Sequence, residues 1–187
     1  MRLRHPRDAD AHAIAAACSD PEVARWTRIP SPYTLEDARG WIALSHSEGT
    51  RQRALLLVIA HVSDDRVAGT VALEVHDEPE RHGEIGYWVA AQARRGGAGT
   101  RAVQMIGDWG IAALELPYIV IVISPDNEPS RALARRAGFS QHERQLREFK
   151  GVIQEFEIWR KSRQSAVRSR RVSPPGRSAD GRPPTAD

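Results

Sequence analysis

The sequence predicts an α/β protein built on one central mixed β-sheet of about six or seven strands, with helices on both faces. Strand-like and helix-like patterns follow each other in the order β, α, α, α, β, β, β, α, β, α, β, β, which is typical of a sheet covered by helices. Residues 118–123, Tyr-Ile-Val-Ile-Val-Ile, form a continuous run of β-favouring side chains and predict a buried strand. A glycine-rich turn separates a strand pattern from a helix pattern near residue 97.

The first quarter of the chain predicts one strand and then three helices. Residues 3–7 form the strand, and the alanine-rich residues 11–18 form the first helix. Asp20 and Pro21 are typical of a second helix start, because proline is tolerated where a backbone N–H has no partner. A capping-box pattern opens a third helix over residues 34–48.

The rest of the chain predicts six strands and two helices. The strands show continuous apolar runs or period-two alternation, and the helices follow turns rich in glycine or proline. Gly138 is placed to end the second of these helices in a left-handed cap. The predicted strands are residues 54–62, 67–76, 83–90, 118–123, 140–149 and 152–160. The predicted helices are residues 100–116 and a second helix that opens at residues 125–129 and ends at Gly138.

The composition changes near residue 162 and indicates a single domain followed by a tail. Residues 162–187 contain six arginines and two acidic residues, so this segment carries +4 although the whole chain carries only +3. The remaining residues 1–161 therefore carry −1, which argues against a specific nucleic-acid-binding function. Residues 163–187 are rich in Ser, Arg and Pro and nearly free of large apolar side chains, so we expect a disordered basic tail after a domain of residues 1–162.

Several other classes are excluded or disfavoured. No apolar run approaches the roughly 18 residues of a membrane-spanning helix, so no membrane association is expected. A single cysteine, Cys18, excludes an internal disulfide and suits the reducing cytosol, so we expect a cytoplasmic protein. The seven histidines show no metal-ligand spacing, and no metal is expected.

The most informative segment is Arg94-Arg95-Gly96-Gly97-Ala98-Gly99-Thr100, between a strand pattern and a helix pattern. Unpaired N–H groups and the dipole of a helix N-terminus together attract anions. Glycines let the backbone approach a phosphate, and arginines add fork-shaped donors. The segment lacks the lysine of a P-loop and the third glycine of a dinucleotide fingerprint. Two interpretations remain at this point: a phosphate-binding loop, or a surface turn capped by Thr100.

Three motifs together resemble the GNAT (Gcn5-related) N-acetyltransferase family. The first is Arg94-x-x-Gly97-x-Gly99, which is similar to the family's acetyl-CoA pyrophosphate loop. The second is Asn127-x-x-Ser130, followed by a helix and Gly138-Phe139. The third is the strand Glu84-Ile85-Gly86-Tyr87-Trp88-Val89 before the loop. The early segment around residues 20–42 is similar to the RimJ/RimL branch, which acetylates the N-termini of ribosomal proteins.

The resemblance implies an acetyl-CoA-dependent N-acetyltransferase, with acetyl-CoA as co-substrate and a primary amine as acceptor. The acceptor would be a protein N-terminal α-amine or a small-molecule amine, attacked directly in a ternary complex. Two alternatives stay open: an aminoglycoside-type antibiotic acetyltransferase, and a module that binds an acyl-CoA without turnover. A monomer or a homodimer is expected.

The resemblance also implies roles for individual residues in cofactor binding. The Val89 N–H would lie near the thioester oxygen, Asn127 would bind the pantetheine arm, and Ser130 would lie near the sulfur. The pyrophosphate would be held by the loop that comprises Arg94, Arg95, Gly96, Gly97, Ala98, Gly99 and Thr100.

The catalytic residues are less well defined. Glu84 on the strand before the loop is the first candidate for the general base, and Glu148 near the end of a later strand is the second; water is a third. Glu84 has an alternative interpretation as a solvent-exposed strand residue. Many family members carry a Tyr where this chain has Ala134, so Ser130 or water would have to protonate the leaving thiolate.

Overall fold

The computed structural model describes residues 1–163, apart from the side chains of Glu48 and Gly49. It contains one seven-stranded sheet, six α-helices and two short 3-10 turns among these residues. The elements are β1 (Arg2–Arg4), α1 (Ala11–Cys18), α2 (Pro21–Trp26), α3 (Leu35–His46), α4 (Glu48–Arg51), β2 (Ala54–Ala60), β3 (Val67–His76), β4 (His82–Val89), α5 (Ala98–Ala113), β5 (Tyr118–Ile123), α6 (Glu128–Arg136), β6 (Ser140–Phe149) and β7 (Val152–Ser162).

The sheet has the strand order β1-β2-β3-β4-β5-β7-β6. All neighbouring strands pair antiparallel except β4 and β5, which are parallel and connected through α5. A parallel connection needs a crossover, and α5 provides it. The sheet is therefore mixed, as predicted, and its one parallel junction lies directly beside the glycine-rich segment.

Helices cover both faces of the sheet, and each face has its own apolar cluster. On one face, α5 and α6 pack on the strands through residues such as Ile106, Leu133 and Phe139. On the other face, α1, α2 and α3 pack through Ile14 and Ile42, among others. The alternation along β4 assigns its side chains to the two clusters: Ile85, Tyr87 and Val89 contact the first, and Trp88 contacts the second.

Most predicted elements are confirmed, and their local signals act as expected. The Thr34 side chain accepts a hydrogen bond from the Asp37 N–H, and the Asp37 carboxylate accepts one from the Thr34 N–H, which completes the capping box. Asp20 caps α2 by accepting from the Glu22 N–H. Gly138 has a φ of 88°, the left-handed conformation expected after α6.

Several boundaries differ from the prediction, and two of these differences have clear reasons. The strand predicted to reach residue 62 ends at Ala60, because the His61 N–H donates to Arg66 O and begins a tight turn. The helix predicted from residue 100 begins at Ala98, because Gly97 already takes the left-handed conformation that precedes the helix. The interpretation of Thr100 as the residue that caps this helix is therefore wrong, since Thr100 lies within its first turn.

An arginine–aspartate network fixes the N-terminal strand to the turn after β2. The buried Asp10 accepts two hydrogen bonds from Arg4, at 2.7 and 2.8 Å, and one from the Arg7 N–H at 2.8 Å. Arg4 Nε also donates to Asp65 at 2.8 Å, and Arg7 donates to the other oxygen of Asp65 at 2.8 Å. The pKa of Asp65 is lowered to about 2 by its hydrogen bonds from Arg4 and Arg2.

The tail predicted for residues 163–187 lies, from residue 164 onward, outside the described residues. Within the part of the chain that the structure describes, no helix is long and apolar enough to cross a membrane. Over the same residues, no group of three or more His, Cys, Asp or Glu side chains is placed to hold a metal ion.

Candidate active site

The candidate site is a gap in the sheet between β4 and β5. These strands pair only near their starts, where Gly83 lies opposite Ile119 and Glu84 opposite Val120. The next five residues of β4 and the last three of β5 have no partner across this junction. Backbone N–H and C=O groups that face the gap are free of sheet partners, so an extended ligand can pair with them.

The register of β3 and β4 fixes which backbone groups of β4 face the gap. Gly69 lies opposite Val89, and the Ala90 N–H donates to Ala68 O at 2.9 Å. Hydrogen-bonded and non-hydrogen-bonded pairs alternate in an antiparallel ladder. The Gly69–Val89 pair is therefore of the second kind, and the Val89 N–H points away from β3, into the gap. This orientation is the one that the sequence-based role of Val89 as an oxyanion donor requires.

The N-terminus of α5 opens at the end of the same gap. The Arg101 N–H donates to Gly97 O at 3.1 Å, so the N–H groups of Ala98, Gly99 and Thr100 precede the first intrahelical hydrogen bond. The helix is 16 residues long, which gives its dipole full effect at this end. A negatively charged group is favoured here.

The loop before α5 has an unusual backbone conformation that lets an anion come close to the helix N-terminus. Gly97 has a φ of 74° and Arg95 a φ of 64°, both in the left-handed region that side chains with a Cβ rarely adopt. A Cβ on Gly99 would lie 2.9 Å from both Leu133 and Val89 side chains. Gly99 therefore lets α5 pack closely against β4 and α6, while Gly97 sets the direction of the turn. Gly96 is exposed on the surface of the loop.

Arg94 makes two hydrogen bonds within the protein, and its role in cofactor binding stays a prediction. Its Nε donates to Val89 O at 3.1 Å, and its Nη2 donates to Asp20 at 2.6 Å. The carbonyl of Val89 is thereby satisfied at the end of β4, and the α2 cap is joined to the loop. These contacts of Arg94 fix the loop to β4 and to the start of α2, whereas Arg95 is exposed.

Asn127 and Ser130 lie together at the start of α6, on the other side of the gap. The Asn127 Oδ1 accepts from the Ser130 N–H at 3.1 Å, so Asn127 caps the helix. The cap uses only the amide oxygen, and the two Nδ2 donors are not needed for it. Capping and ligand contact by Asn127 are therefore compatible. The Ser130 hydroxyl lies 2.6 Å from the hydroxyl of Tyr87 on β4.

Glu84 lies at the last paired position of β4, on the face opposite to Tyr87. Its carboxylate accepts from an Arg147 guanidinium nitrogen at 3.3 Å, and both side chains are about one-third exposed. Gly86 follows on the same face, is exposed, and a Cβ there would meet nothing within 4 Å. Alternation along β6 places Glu148 on the face opposite to Arg147, and the role of general base stays a prediction for both glutamates.

A cleft lies between the segment after α2 and the β6–β7 hairpin. It is lined by Arg28, Ile29, Glu148 and Lys150. The Arg28 guanidinium donates to Glu148 O at 3.1 Å, and the Lys150 ammonium donates to Ala24 O. Two cations thus join the hairpin to the early helices through backbone carbonyls.

Sequence reasoning missed a buried acid beneath the site. Glu157 on β7 is fully buried and accepts from Arg131 Nε at 3.0 Å and from the Trp159 indole N–H at 3.0 Å. Arg131 follows Ser130 directly, so this pair fixes the first turn of α6 on the sheet. The hydrogen bond from Arg131 to Glu157 is the main reason why the pKa of Arg131 is raised. The alternation of β7 predicts a strand, but not that an acidic residue lies on its buried face.

Fold and site together define a class of transferase. A sheet that splits between two parallel strands, with a glycine turn and a helix N-terminus at the split, is the architecture of acyl-CoA N-acyltransferases. Residues 1–140 match the model of the acetyltransferase (GNAT) domain, so the chain belongs to this family. It is a GNAT N-acetyltransferase, as the motifs predicted, and the family uses acetyl-CoA as acetyl donor.

Relatives support this assignment. The chain is 30% identical to the uncharacterized N-acetyltransferase p20 of Bacillus licheniformis over 150 residues, which is 80% of this chain and 83% of that protein. It is 29% identical over 147 residues to the uncharacterized N-acetyltransferase YoaA of Bacillus subtilis strain 168, covering 79% and 82% of the two chains.

Solved structures confirm the predicted fold. Mycobacterium smegmatis RimJ in complex with CoA-disulfide superposes with a TM-score of 0.75 at 23% identity, covering 90% of this chain and 88% of that one. The microcin C7 self-immunity acetyltransferase MccE, in complex with acetyl-CoA and AMP, superposes with a TM-score of 0.73 at 24% identity, covering 86% and 91%.

Proposed function

We propose that the protein transfers the acetyl group of acetyl-CoA to the α-amine of a protein or peptide N-terminus, in a ternary complex. The observation that carries this proposal is the gap between β4 and β5, with the Val89 N–H directed into it and the α5 N-terminus at its end. The similarity to structures of ribosomal-protein acetyltransferases, such as the ribosomal-protein-S5-alanine acetyltransferase from Vibrio fischeri, supports the choice of acceptor.

In the proposed complex the pyrophosphate of acetyl-CoA binds at the N-terminus of α5. The donors are the N–H groups from Arg95 to Thr100, and the helix dipole adds to the attraction. The pantetheine arm then runs along the unpaired edge of β4, where Asn127 contributes its side-chain amide. The thioester oxygen accepts from the Val89 N–H, which stabilises the negative charge of the tetrahedral adduct.

The acceptor enters from the opposite side of the sheet, through the cleft between the segment after α2 and the β6–β7 hairpin. A free amine has to attack the thioester. An α-amine with a pKa of about 7.7–8.0 costs only about 1–1.4 kcal/mol to deprotonate at pH 7, whereas a lysine near 10.4 costs roughly 4.6 kcal/mol. In our proposal Glu84 takes this proton, directly or through one water, and Ser130 donates a proton to the leaving thiolate.

The cleft supports a peptide acceptor more than an aminoglycoside. Polycationic drugs favour an acidic site, whereas the cleft presents the charges of Arg28 and Lys150, which are bound to carbonyls. Glu148 also lines the cleft, so its charged residues sum to +1, which disfavours a polycationic drug more than a peptide with one N-terminal charge. If no acceptor gave a product, the result would support the alternative of a module that binds acyl-CoA without turnover.

The proposal is tested first at the level of the donor. In isothermal titration calorimetry, the affinity for acetyl-CoA is expected to be at least tenfold lower in Gly97→Val than in the wild type. The reason is that Gly97 has a φ of 74° and its Cβ would lie 3.0 Å from Arg101, so a β-branched residue changes the loop backbone. Gly40→Val is the matched control, since Gly40 lies on the exposed side of α3 with nothing within 4 Å of its Cβ. Equal affinity in both variants would contradict the assignment of the loop.

The acceptor class is tested with a panel. Release of CoA is measured with peptides that carry a free or blocked N-terminus, with polyamines and with aminoglycosides. We expect turnover with free N-termini and loss of turnover when the α-amine is blocked. A preference for aminoglycosides would replace our proposal with the antibiotic alternative.

We further propose that the catalytic domain comprises residues 1–162 and that residues 163–187 form a tail that is not needed for catalysis. The end of β7 at Ser162 supports this boundary. A chain truncated after Arg163 is expected to keep its affinity for acetyl-CoA. The expectation of a monomer or homodimer stays a prediction.

A further inference from the structure

A hydrogen bond between two hydroxyl groups crosses the site from β4 to α6. The Tyr87 hydroxyl lies 2.6 Å from the Ser130 hydroxyl. Tyr87 belongs to the part of β4 that has no partner in β5, and its ring packs against the apolar cluster beneath α5 and α6. Ser130 is fixed separately, because its N–H donates to the Asn127 cap.

The chemistry of the two hydroxyl groups favours Tyr87 as the donor. Burial raises the pKa of Tyr87 to about 12, so its O–H stays protonated at every pH at which the enzyme is assayed. A phenol is a stronger hydrogen-bond donor than an aliphatic alcohol. When Tyr87 donates to Ser130 Oγ, the proton of Ser130 is left free to turn into the gap.

We propose that Tyr87 is a positioning residue that directs the Ser130 hydroxyl proton towards the sulfur of the leaving CoA. This inference rests on the proposed function. One turn beyond Ser130 in α6 lies Ala134, which is fully buried. Its side chain is a methyl group and offers no hydroxyl. The hydroxyl pair from β4 and α6 is thus the proton donor that the described part of the gap provides.

The proposed step is balanced as follows. When the tetrahedral adduct collapses, the carbon–sulfur bond breaks and its electron pair goes to sulfur. The Ser130 proton moves to the sulfur, and Ser130 regains a proton from water when CoA leaves. A protonated acceptor loses two protons, one before the attack and one from the nitrogen of the adduct, and both pass in turn through Glu84 to solvent. No net proton is therefore retained by the protein. Tyr87 keeps its own proton throughout and acts only by donating a hydrogen bond.

The test is a double-mutant cycle with Tyr87→Phe and Ser130→Ala, measured by steady-state kinetics and by calorimetry with acetyl-CoA. Tyr87→Phe removes only the hydroxyl and keeps the packed ring. We expect kcat to fall about tenfold, with the acetyl-CoA Kd and the melting temperature unchanged. In the Ser130→Ala background the same change should have no further effect, because there is no hydroxyl left to orient. Ser130→Thr should recover most of kcat, since it restores a hydroxyl.

Tyr118→Phe is the matched control, because this tyrosine stacks on His82 and under Arg160, away from the gap. It should leave kcat unchanged. An equal loss from Tyr87→Phe in both backgrounds, an unaffected kcat, or a parallel loss of acetyl-CoA affinity would overturn the positioning role. A wild-type protein that binds acetyl-CoA but acetylates no acceptor would instead contradict the proposed function, and that result appears before any variant is made.

Discussion

Glu84 and Arg147 form an ion pair of 3.3 Å that joins the strand before the glycine loop to the strand that ends in the β6–β7 hairpin. The ion pair connects β4 to β6 through side chains, although two other strands, β5 and β7, lie between them in the sheet. This geometry places the candidate base under the hairpin that lines the acceptor cleft. An incoming amine therefore meets Glu84 together with its arginine partner.

Replacement of Glu84 by Gln is expected to lower kcat about 10²-fold or more at pH 7, because a neutral amide cannot take the proton of the amine. The loss should shrink as the pH rises past the pKa of the acceptor amine, where the free amine no longer needs a base. A pH–rate profile from 6 to 9.5 measures this, with acetyl-CoA Kd as control for binding. A loss that is constant over this range would mean that Glu84 is structural, and full activity at pH 7 would leave water as the base.

Replacement of Gly86 by Val is expected to block the acceptor but not the donor. Gly86 is exposed on the same face as Glu84, and a Cβ would meet nothing within 4 Å, so the chain tolerates the side chain. The added volume fills space that we assign to the amine substrate. We expect the acceptor KM to rise more than tenfold, with the acetyl-CoA Kd changed less than twofold. A loss of acetyl-CoA affinity would show that the two substrates lie on the same side of β4.

The cations that join the early helices to the hairpin give a third prediction. Because Arg28 and Lys150 join the two sides of the cleft through Glu148 O and Ala24 O and so fix its shape, the double variant Arg28→Ala, Lys150→Ala is expected to raise the acceptor KM severalfold. The acetyl-CoA Kd should not change, since neither residue lies near α5. Arg25→Ala is a suitable control, because Arg25 stacks on Trp26 and is paired only weakly with Glu22 at 4.0 Å. Equal effects of both changes would indicate a general charge effect.

The order of elements and the glycine loop could be predicted because both depend on local patterns. The capping box at Thr34 and the left-handed Gly138 are encoded within four residues of the helix ends that they determine. Local patterns do not reveal contacts between residues that are distant in sequence: Arg94 donates to Val89 O and to Asp20, and Asp20 is 74 residues away.

The contacts beneath the site were not predictable from pattern for the same physical reason. Tyr87 and Ser130 are 43 residues apart, and Arg131 and Glu157 are 26 apart. Which side chains meet depends on the register of β4 and β7 and on the direction of α6. A sequence pattern gives the face of each residue but not the position of the opposite element.

The network at Asp65 predicts how the fold responds to acid. Because the folded pKa of Asp65 is about 2, below its ordinary value of about 3.9, its contribution to stability is complete above about pH 5 and is lost between about pH 4 and pH 2. Urea unfolding at pH 7, 5, 3 and 2 should show Asp65→Asn less stable than the wild type at pH 7, with the difference vanishing near pH 2. Asparagine suits the left-handed φ of 59° at this position, so the backbone is not strained.

Asp77→Asn is the control, because Asp77 is largely exposed and 3.9 Å from Arg81, and little change in stability is expected at any pH. A stability difference for Asp65→Asn that stays constant down to pH 2 would show that the carboxylate charge is not what Arg2, Arg4 and Arg7 stabilise.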